Sequence, residues 1–220
     1  MRSCGRMLAA ACVVALLSSA GAAAHCSAKD AHDRLVAAKH QIAATVVRAP
    51  IRSAAEAPIW KTITVGTFRD SLAMRNTLDA LDCGVGDGAA QILARPSFGL
   101  AARRGQLDLV TVTAAQLGFQ AEAVRLDELH ARAEHLGLGL APAEAGPQLR
   151  LQYADQPTGE FLILGMRPLR TWSGEALVFV VANGGAGLHL LSQDAHAPVH
   201  ARSHILFVRG RHDADVALGE

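Results

Sequence analysis

The chain is poor in aromatic residues and has no concentrated positive charge. Phenylalanine, tryptophan and tyrosine together make up 4% of it, too few for the extended aromatic platform that many sugar-cleaving enzymes use. The formal net charge is +1, and no run of lysine or arginine occurs. A nucleic-acid partner would demand a basic face. We therefore expect no nucleic-acid partner, and a glycoside hydrolase is disfavoured.

Motifs for nucleophilic catalysis and for phosphate binding are also missing. There is no Gly-x-Ser-x-Gly sequence. The glycine-rich stretch DCGVGDGAAQIL, Asp82–Leu93, has G-x-G-x-G spacing, and the residues before it have a helical pattern. A dinucleotide loop needs G-x-G-x-x-G directly after a strand. We therefore interpret the stretch as a C-cap glycine, a turn and an N-cap aspartate, Asp87, between two helices.

The first residues have the order of a secretory signal peptide. Arg2 and Arg6 precede an uncharged apolar segment, Met7–Ala24, that ends in Ala-x-Ala. An uncharged segment of this length is also at the lower limit for a transmembrane anchor. We predict cleavage after Ala24, a periplasmic or extracellular location, and no stable membrane span in the mature chain.

Cysteine is scarce, and two of the four cysteines, Cys4 and Cys12, lie in the predicted signal peptide. The mature chain would retain Cys26 and Cys83. In an oxidising compartment such a pair predicts a disulfide bond between them. Two unrelated thiols, one of them buried, remain the alternative.

Hydrophobic patterning indicates one domain with an appendage. Helical spacing of apolar residues predicts a helix over Ser27–Val47, and two prolines mark Arg48–Pro58 as a linker. The resulting divisions are a signal peptide (1–24), an N-terminal helix and linker (25–58), a compact domain (59–210) and a flexible tail (211–220).

Within the compact domain, the pattern changes near Pro142 from alternating strands and helices to strands alone. The residues NGGAG, Asn183–Gly187, predict a hairpin turn. The first half has two predicted strands, one beginning at Ile59 and one at Leu107–Thr113. It also has three predicted helices: one that begins at Asp70 or Ser71 with Leu72, Leu78 and Leu81 toward the core, and those over Asp87–Ala94 and Leu126–Leu136. We expect a single α+β domain in which a small helix-rich first half is followed by an antiparallel sheet, with the N-terminal helix outside it.

The stretch GPQLRLQYADQPTGE, Gly146–Glu160, is typical of a strand followed by a turn. Strand alternation would place polar side chains on one face around a single guanidinium. Arginine and glutamine offer several donors in fixed planes, which suits a carboxylate, a sugar or a peptide backbone. The alternative is an ordinary solvent-exposed face. The predicted ligand-binding residues are Gln148, Arg150, Gln152, Asp155 and Gln156.

Histidines recur near the end of the domain in DAHAPVHARSH. His196, His200 and His204 are four residues apart, and on a continuous helix they would share a face that could hold Zn²⁺. Pro198 interrupts that spacing and His204 begins a predicted strand, so the pattern favours a solvated histidine-rich loop over a zinc site. Apart from zinc at these histidines, we expect no cofactor.

Several of these stretches resemble a set of small bacterial proteins with no known activity. The resemblance rests on GDGAAQILARPSF, LDLVTVTAAQLGF, LGLGLAPAEAGPQLRLQYADQPTGEFLILGM and the closing ILFV, and it covers roughly Trp60–Arg209. It implies that this range is one unit, and it implies no function. After Gly187 the set carries tryptophan and other aromatics, whereas this chain carries histidines, so a metal site there would be peculiar to this chain.

The favoured hypothesis is an exported binding or interaction module that contacts a protein or a small polar ligand through the polar strand face around Arg150. The alternative is a hydrolase in which Asp155 or Glu160 acts with a histidine, with or without a metal ion. A third hypothesis is a scaffold whose helix Ser27–Val47 docks on another protein.

Overall fold

A computed structural model describes residues 49–210. All of the described residues belong to one compact unit. The predicted signal peptide, Cys26, the predicted helix Ser27–Val47 and the tail 211–220 lie outside the described residues. Between residues 49 and 210, no helix is long and apolar enough to cross a membrane.

The described residues confirm the α+β class. They form four α-helices, which are α1 (Ser71–Ala80), α2 (Asp87–Leu93), α3 (Leu126–His135) and α4 (Ala145–Gln152). They also form eleven strands, which are β1 (Lys61–Val65), β2 (Gly84–Val85), β3 (Gly105–Val112), β4 (Ala123–Val124), β5 (Leu138–Gly139), β6 (Glu160–Leu164), β7 (Leu169–Arg170), β8 (Ala176–Asn183), β9 (Leu188–Asp194), β10 (Val199–His200) and β11 (His204–Arg209).

Nine of the described strands form one mixed sheet, in the order β1-β3-β11-β6-β8-β9-β2, with β5 beside β11 and β7 beside β8. The β11–β6 and β2–β9 pairs are parallel, and the others are antiparallel. The expectation of an antiparallel sheet built from the second half is therefore wrong, because β1 and β3 come from the first half. The strands β4 and β10 pair separately.

Most of the predicted elements are present where β-branched runs or helical spacing indicated them. The hairpin turn at Asn183–Gly187 is confirmed by the pairing of Asn183 with Leu188. In α1 the apolar face is partly misassigned: Met74 and Leu78 are buried, whereas Leu72 and Leu81 are 67% and 60% exposed.

The strand predicted over the stretch from Gly146 is wrong, because these residues form the helix α4. Residues 145 to 150 are all buried, so the helix has no polar face that would give it a helical period in the sequence. Pro147 is the third residue of α4, within the first turn, where a missing N–H costs no intrahelical bond. A Cβ on Gly146 would lie 2.9 Å from the Cβ of Phe179, so the helix approaches β8 closely.

The end of the predicted linker belongs to the domain. Ile51 and Ala57 are buried, and the backbone N–H groups of Ile51 and Ala54 donate to the carbonyls of Gln116 and Leu136. A short 3-10 helix, Ala54–Glu56, lies in this segment. The residues between Pro50 and Pro58 thus form an irregular segment that packs on the domain, whereas the prolines had indicated a linker.

The glycines of the DCGVGDGAAQIL stretch are explained by close packing against β9. An added Cβ at Gly84 would lie 2.4 Å from the ring of His189, and one at Gly88 would lie 2.3 Å from Ser192 Oγ. Gly84 belongs to β2, and the backbone N-cap of α2 is Gly86. The stretch joins two helices as expected, although Gly84 is a strand residue and Asp87 is the first helical residue.

Candidate functional site

The polar residues of α4 form hydrogen bonds with other residues of the domain. Gln148 is 2% exposed, and its Nε2 donates to Thr67 Oγ1 at 2.7 Å and to Glu144 Oε1 at 3.0 Å. Glu144 is also buried, and its carboxylate accepts the N–H groups of Gly66 and Ala101, each at 2.7 Å. These contacts tie two loops to the start of α4.

Gln152 lies at the surface, but its amide also forms hydrogen bonds within the protein. Its Oε1 accepts from the backbone N–H of Thr64, and its Nε2 donates to the carbonyl of the same residue, both at 2.8 Å. The side chain thus occupies the free edge of β1 as a neighbouring strand would. Edge groups that pair in this way are no longer open to another chain.

Arg150 is 1% exposed and crosses from α4 to the sheet. Its guanidinium donates to Gln156 Oε1, to the carbonyl of Tyr153 and, at 3.3 Å, to the carbonyl of Ala182. Gln156 continues this chain of bonds, because its Nε2 donates to the carbonyls of Glu160 and Val181, both at 3.1 Å. Burial lowers the pKa of Arg150, since a low-dielectric interior disfavours the charged form.

The predicted outward-facing row around Arg150 is therefore wrong. Gln148, Arg150 and Gln156 are buried, and Gln152 is bonded to β1. Asp155 is exposed in the turn that follows α4. The residues do lie near one another, but three of them face inward, so they do not form a contact surface.

The three histidines do not share a helix, as the interruption at Pro198 indicated. His196 lies in the turn after β9, His200 lies in β10, and His204 begins β11, and all three are exposed. His200 Nδ1 accepts the backbone N–H of Arg202 at 3.2 Å. Among residues 49–210, no three histidine, cysteine, aspartate or glutamate side chains are placed to hold a metal ion.

One of these histidines lines a cavity that the sequence did not indicate. The cavity has a volume of about 320 Å³ and lies at the N-terminal end of α3. We call it the α3 pocket. Its walls come from the start of α3, from the loop before β7 and from the turn after β9, and its lining residues are Arg125, Leu126, Asp127, His130, Pro168, Ala195 and His196.

His130 is the least satisfied polar group of the α3 pocket. Its Nε2 is shielded from solvent and has no hydrogen-bond partner. The ring packs edge-on against Phe207, with centroids 6.1 Å apart. Burial lowers the pKa of His130 to about 4, against a smaller opposing effect of the Asp127 charge. At neutral pH the pocket wall therefore presents an uncharged imidazole.

The rim of the pocket carries one ion pair. Arg125 Nε donates to Asp127 Oδ1 at 3.0 Å, and a second nitrogen of the same guanidinium contacts Oδ2. The hydrogen bond from Arg125 lowers the pKa of Asp127, and Asp127 raises that of Arg125. Both side chains are more than half exposed, so the pair orders the rim and adds little stability.

A pattern in the sequence does mark His130. Leu126, Leu129 and Ala133 are buried, and they form the apolar stripe of α3 with helical spacing. His130 falls beside Leu129 in that stripe, where a polar residue is unexpected. The residues across the pocket, Pro168 and Ala195, are distant in sequence, and no sequence pattern identifies them as pocket residues.

A larger cavity, of about 460 Å³, is lined by residues 49 to 52 together with Arg132, His135 and Leu136. Its wall includes the first described residues, so its boundary on that side is not defined by the described chain. The α3 pocket is bounded entirely by residues far from either end of the described range, and it contains the unsatisfied imidazole.

Comparison of the chain with protein-family models, with curated proteins and with solved structures finds no match.

Proposed function

We propose that the protein is an exported binding module that takes a small ligand in the α3 pocket. The observation that carries the proposal is a cavity lined by His130, a side chain whose Nε2 is buried and has no hydrogen-bond partner. A buried polar group without a partner costs about 1–3 kcal/mol, and a ligand that supplies the missing hydrogen bond recovers part of this cost.

The size and lining of the pocket favour a small amphipathic molecule. Ligand sites of about 300–1,000 Å³ are usually apolar with a few polar groups, and the α3 pocket lies at the lower end of that range. Leu126, Pro168 and Ala195 supply apolar surface, while His130 and His196 supply imidazole rings. The ligand would carry an apolar ring or chain and one hydrogen-bonding group.

Binding is favoured over hydrolysis by the state of the pocket's ionisable groups. A general base works best when its pKa lies near the operating pH, and the pKa of His130 is lowered to about 4. Asp127 is engaged by Arg125. Neither group is arranged to accept a proton from a nucleophile at neutral pH.

The remaining parts of the proposal concern the rest of the chain. Residues 1–24 direct export to the periplasm or the exterior, in keeping with the order of basic, apolar and small residues at the start. The spacing of apolar residues in Ser27–Val47 supports the prediction of a helix there.

Saturation-transfer NMR with indole, phenol and benzamide as separate probes tests the proposed pocket. We expect at least one probe to bind the wild-type protein and to bind His130→Gln at least fivefold more weakly. His135→Gln is the matched control, because His135 is exposed on the same helix and outside the α3 pocket. A second variant, Ala195→Phe, should abolish binding by filling the pocket.

Equal binding by the wild type, His130→Gln and Ala195→Phe would place the probes elsewhere and contradict the proposal. Failure of all three probes to bind the wild type at millimolar concentration would also contradict it, because the pocket would then not accept the ligand class that its lining indicates.

A further inference from the structure

Trp172 is the most exposed large apolar side chain among residues 49–210. It is 68% exposed and lies in the turn that joins β7 to β8. The Cζ atom of Arg95 lies 4.0 Å from the centroid of the indole ring, which is a cation–π distance. Because the guanidinium covers one face of the ring and the residue is still mostly exposed, the other face is open to solvent.

Arg95 has no counter-charge in the described part of the chain. No carboxylate of residues 49–210 lies within ion-pair distance of it, and its Nε is shielded from solvent without a hydrogen bond. Its two terminal nitrogens also make no hydrogen bond to a described residue, but they reach solvent. A guanidinium offers parallel N–H donors that match the two oxygens of a carboxylate. The edge of Arg95 is therefore available to an anion beside the indole ring.

The turn that carries Trp172 is braced by hydrogen bonds. The backbone N–H of Thr171 donates to the carbonyl of Glu175 at 2.9 Å, and the N–H of Glu175 donates to Thr171 Oγ1 at 3.1 Å. Arg170 Nη1 donates to the carbonyl of Gly174 at 2.8 Å, and Gly174 has a φ of 93°, which glycine adopts without strain. A partner that covers Trp172 would therefore lose little free energy in ordering this turn.

The loop that carries Arg95 is anchored to the strand into which this turn leads. The backbone N–H of Arg95 donates to the carbonyl of Ile92 at 3.3 Å, and its carbonyl accepts the N–H of Phe98 at 3.0 Å. Phe98 is buried and packs edge-on against Phe179 of β8, with ring centroids 6.1 Å apart. The guanidinium and the indole ring are thus both held by elements packed on β8.

The surroundings of the ring favour a protein partner over a small molecule. Neither of the two cavities described above is lined by Arg95 or Trp172. Small-molecule sites are concave, whereas tryptophan and arginine are the residues that most often dominate the binding energy of protein–protein interfaces. An exposed indole with a guanidinium stacked on it therefore has the composition of an interface centre.

The charges of this region favour an acidic partner. Arg95 stacks on the ring, and Arg170 belongs to the same turn as Trp172. Glu175 is the one acidic residue of the turn, and its Oε2 accepts from Ser173 Oγ at 3.1 Å. A nucleic acid would also be attracted to arginine, but the net charge of +1 and the absence of a basic run disfavour it.

We propose that Trp172 and Arg95 form a docking surface for an acidic segment of a partner protein. A carboxylate of the segment binds the terminal nitrogens of Arg95, and a neighbouring proline or aromatic ring stacks on the open face of Trp172. A segment with both groups buries the exposed indole and supplies the missing counter-charge together. The surface shares no residue with the α3 pocket.

Selection of random twelve-residue peptides from a display library on the purified protein tests the proposal. We expect the selected peptides to be enriched in aspartate or glutamate next to proline or an aromatic residue. Fluorescence anisotropy then measures the binding of the synthesised peptides. Trp172→Ser and Arg95→Gln should each weaken binding about tenfold or more, as truncation of a central interface residue does. An increase in NaCl from 50 to 500 mM should weaken binding to the wild type more than to Arg95→Gln.

Matched variants separate this surface from other exposed groups. Leu72 is 67% exposed on α1, and Arg103 is exposed in the loop before β3. Leu72→Ser and Arg103→Gln should leave peptide affinity within about twofold of the wild type, because isolated surface residues outside an interface contribute little. Arg95→Lys should retain part of the affinity, since it keeps the charge and loses the planar fork. Ala195→Phe, which fills the α3 pocket, should leave peptide binding unchanged.

A direct measurement uses Trp172 itself as the reporter. In Trp60→Phe, Trp172 is the only tryptophan of the chain. A bound peptide should protect its fluorescence from quenching by acrylamide, because the open face of the ring is then covered. This measurement decides the question if Trp172→Ser does not fold.

Peptide binding that survives both Trp172→Ser and Arg95→Gln would overturn the proposal, and so would a bound peptide that gives Trp172 no protection from acrylamide. A selection that enriches no peptides, or only basic or uncharged ones, would also overturn it. A labelled single-stranded oligonucleotide provides the last comparison. If it binds the wild type but not Arg95→Gln, and no acidic peptide binds, the surface serves a nucleic acid and the proposal is wrong.

Discussion

At the scale of single residues, the polar side chains of α4 show what a sequence pattern can conceal. The letters Q-L-R-L-Q-Y alternate between polar and apolar residues, as in a half-buried strand. The sequence singles out Gln148, Arg150 and Gln156, and all three are buried polar residues in the structure. Their direction could not be predicted, because each amide is satisfied by a partner remote in sequence. Gln152, for example, pairs with Thr64, 88 residues away.

His130 should make the protein sensitive to mild acid. The folded protein takes up a proton there only near pH 4, whereas the unfolded chain does so near its ordinary value of 6.5. The unfolded state thus binds more protons between these values, and the free energy of unfolding falls as the pH is lowered from about 7 to 4. The loss from this residue is at most about 3 kcal/mol.

Urea unfolding at pH 7 and at pH 4.5 measures this effect. In His130→Gln the decrease between the two pH values should be smaller than in the wild type by about 1–3 kcal/mol. His135→Gln should leave the decrease unchanged. An identical decrease in the wild type and both variants would mean that His130 is readily protonated in the folded state.

At the scale of elements, the strands and the amphipathic helices could be predicted, and α4 could not. β8 is a run of β-branched and apolar residues, and α3 has a clear apolar stripe, so each pattern has one interpretation. The residues of α4 are buried from 145 to 150, so no periodic contrast with a polar face exists. An alternating pattern of leucines then favours the wrong structure.

The close packing of α4 on β8 can be tested by adding a methyl group at Gly146. Gly146→Ala should destabilise the protein by roughly 1–3 kcal/mol, because the new Cβ would lie 2.9 Å from Phe179. Gly99→Ala is the control: an added Cβ there has no atom within 4 Å, and its destabilisation should be negligible. Chemical denaturation measures both, and equal stabilities would show that α4 can move away from the sheet.

At the scale of the whole molecule, the sheet brings together strands from both halves of the chain. The sequence indicates which residues form strands, but it carries no mark of which strands pair. The parallel pairing of β6 with β11 and the placement of β3 between β1 and β11 follow from packing of strands that are far apart in the sequence. The same packing forms the α3 pocket from three separated segments.

The proposed export concerns the whole chain and has its own test. Expression of the full sequence in a Gram-negative host should yield a mature protein in the periplasmic fraction that begins at His25. Edman sequencing or intact mass spectrometry identifies the first residue. Replacement of Ala24 by Arg should block processing, and a protein that retains Met1–Ala24 in the cytoplasm in both cases would contradict the prediction.

The position of β11 has a consequence for how the protein is made. The last described strand lies between β3 and β6, so the sheet has a gap until residues 204–209 are available. A chain that grows from its N-terminus cannot close this gap on the ribosome before residues 204–209 have been synthesised. Until then the sheet stays incomplete, and the unfinished fold would suit the proposed export, because a secretion channel accepts only an unfolded chain.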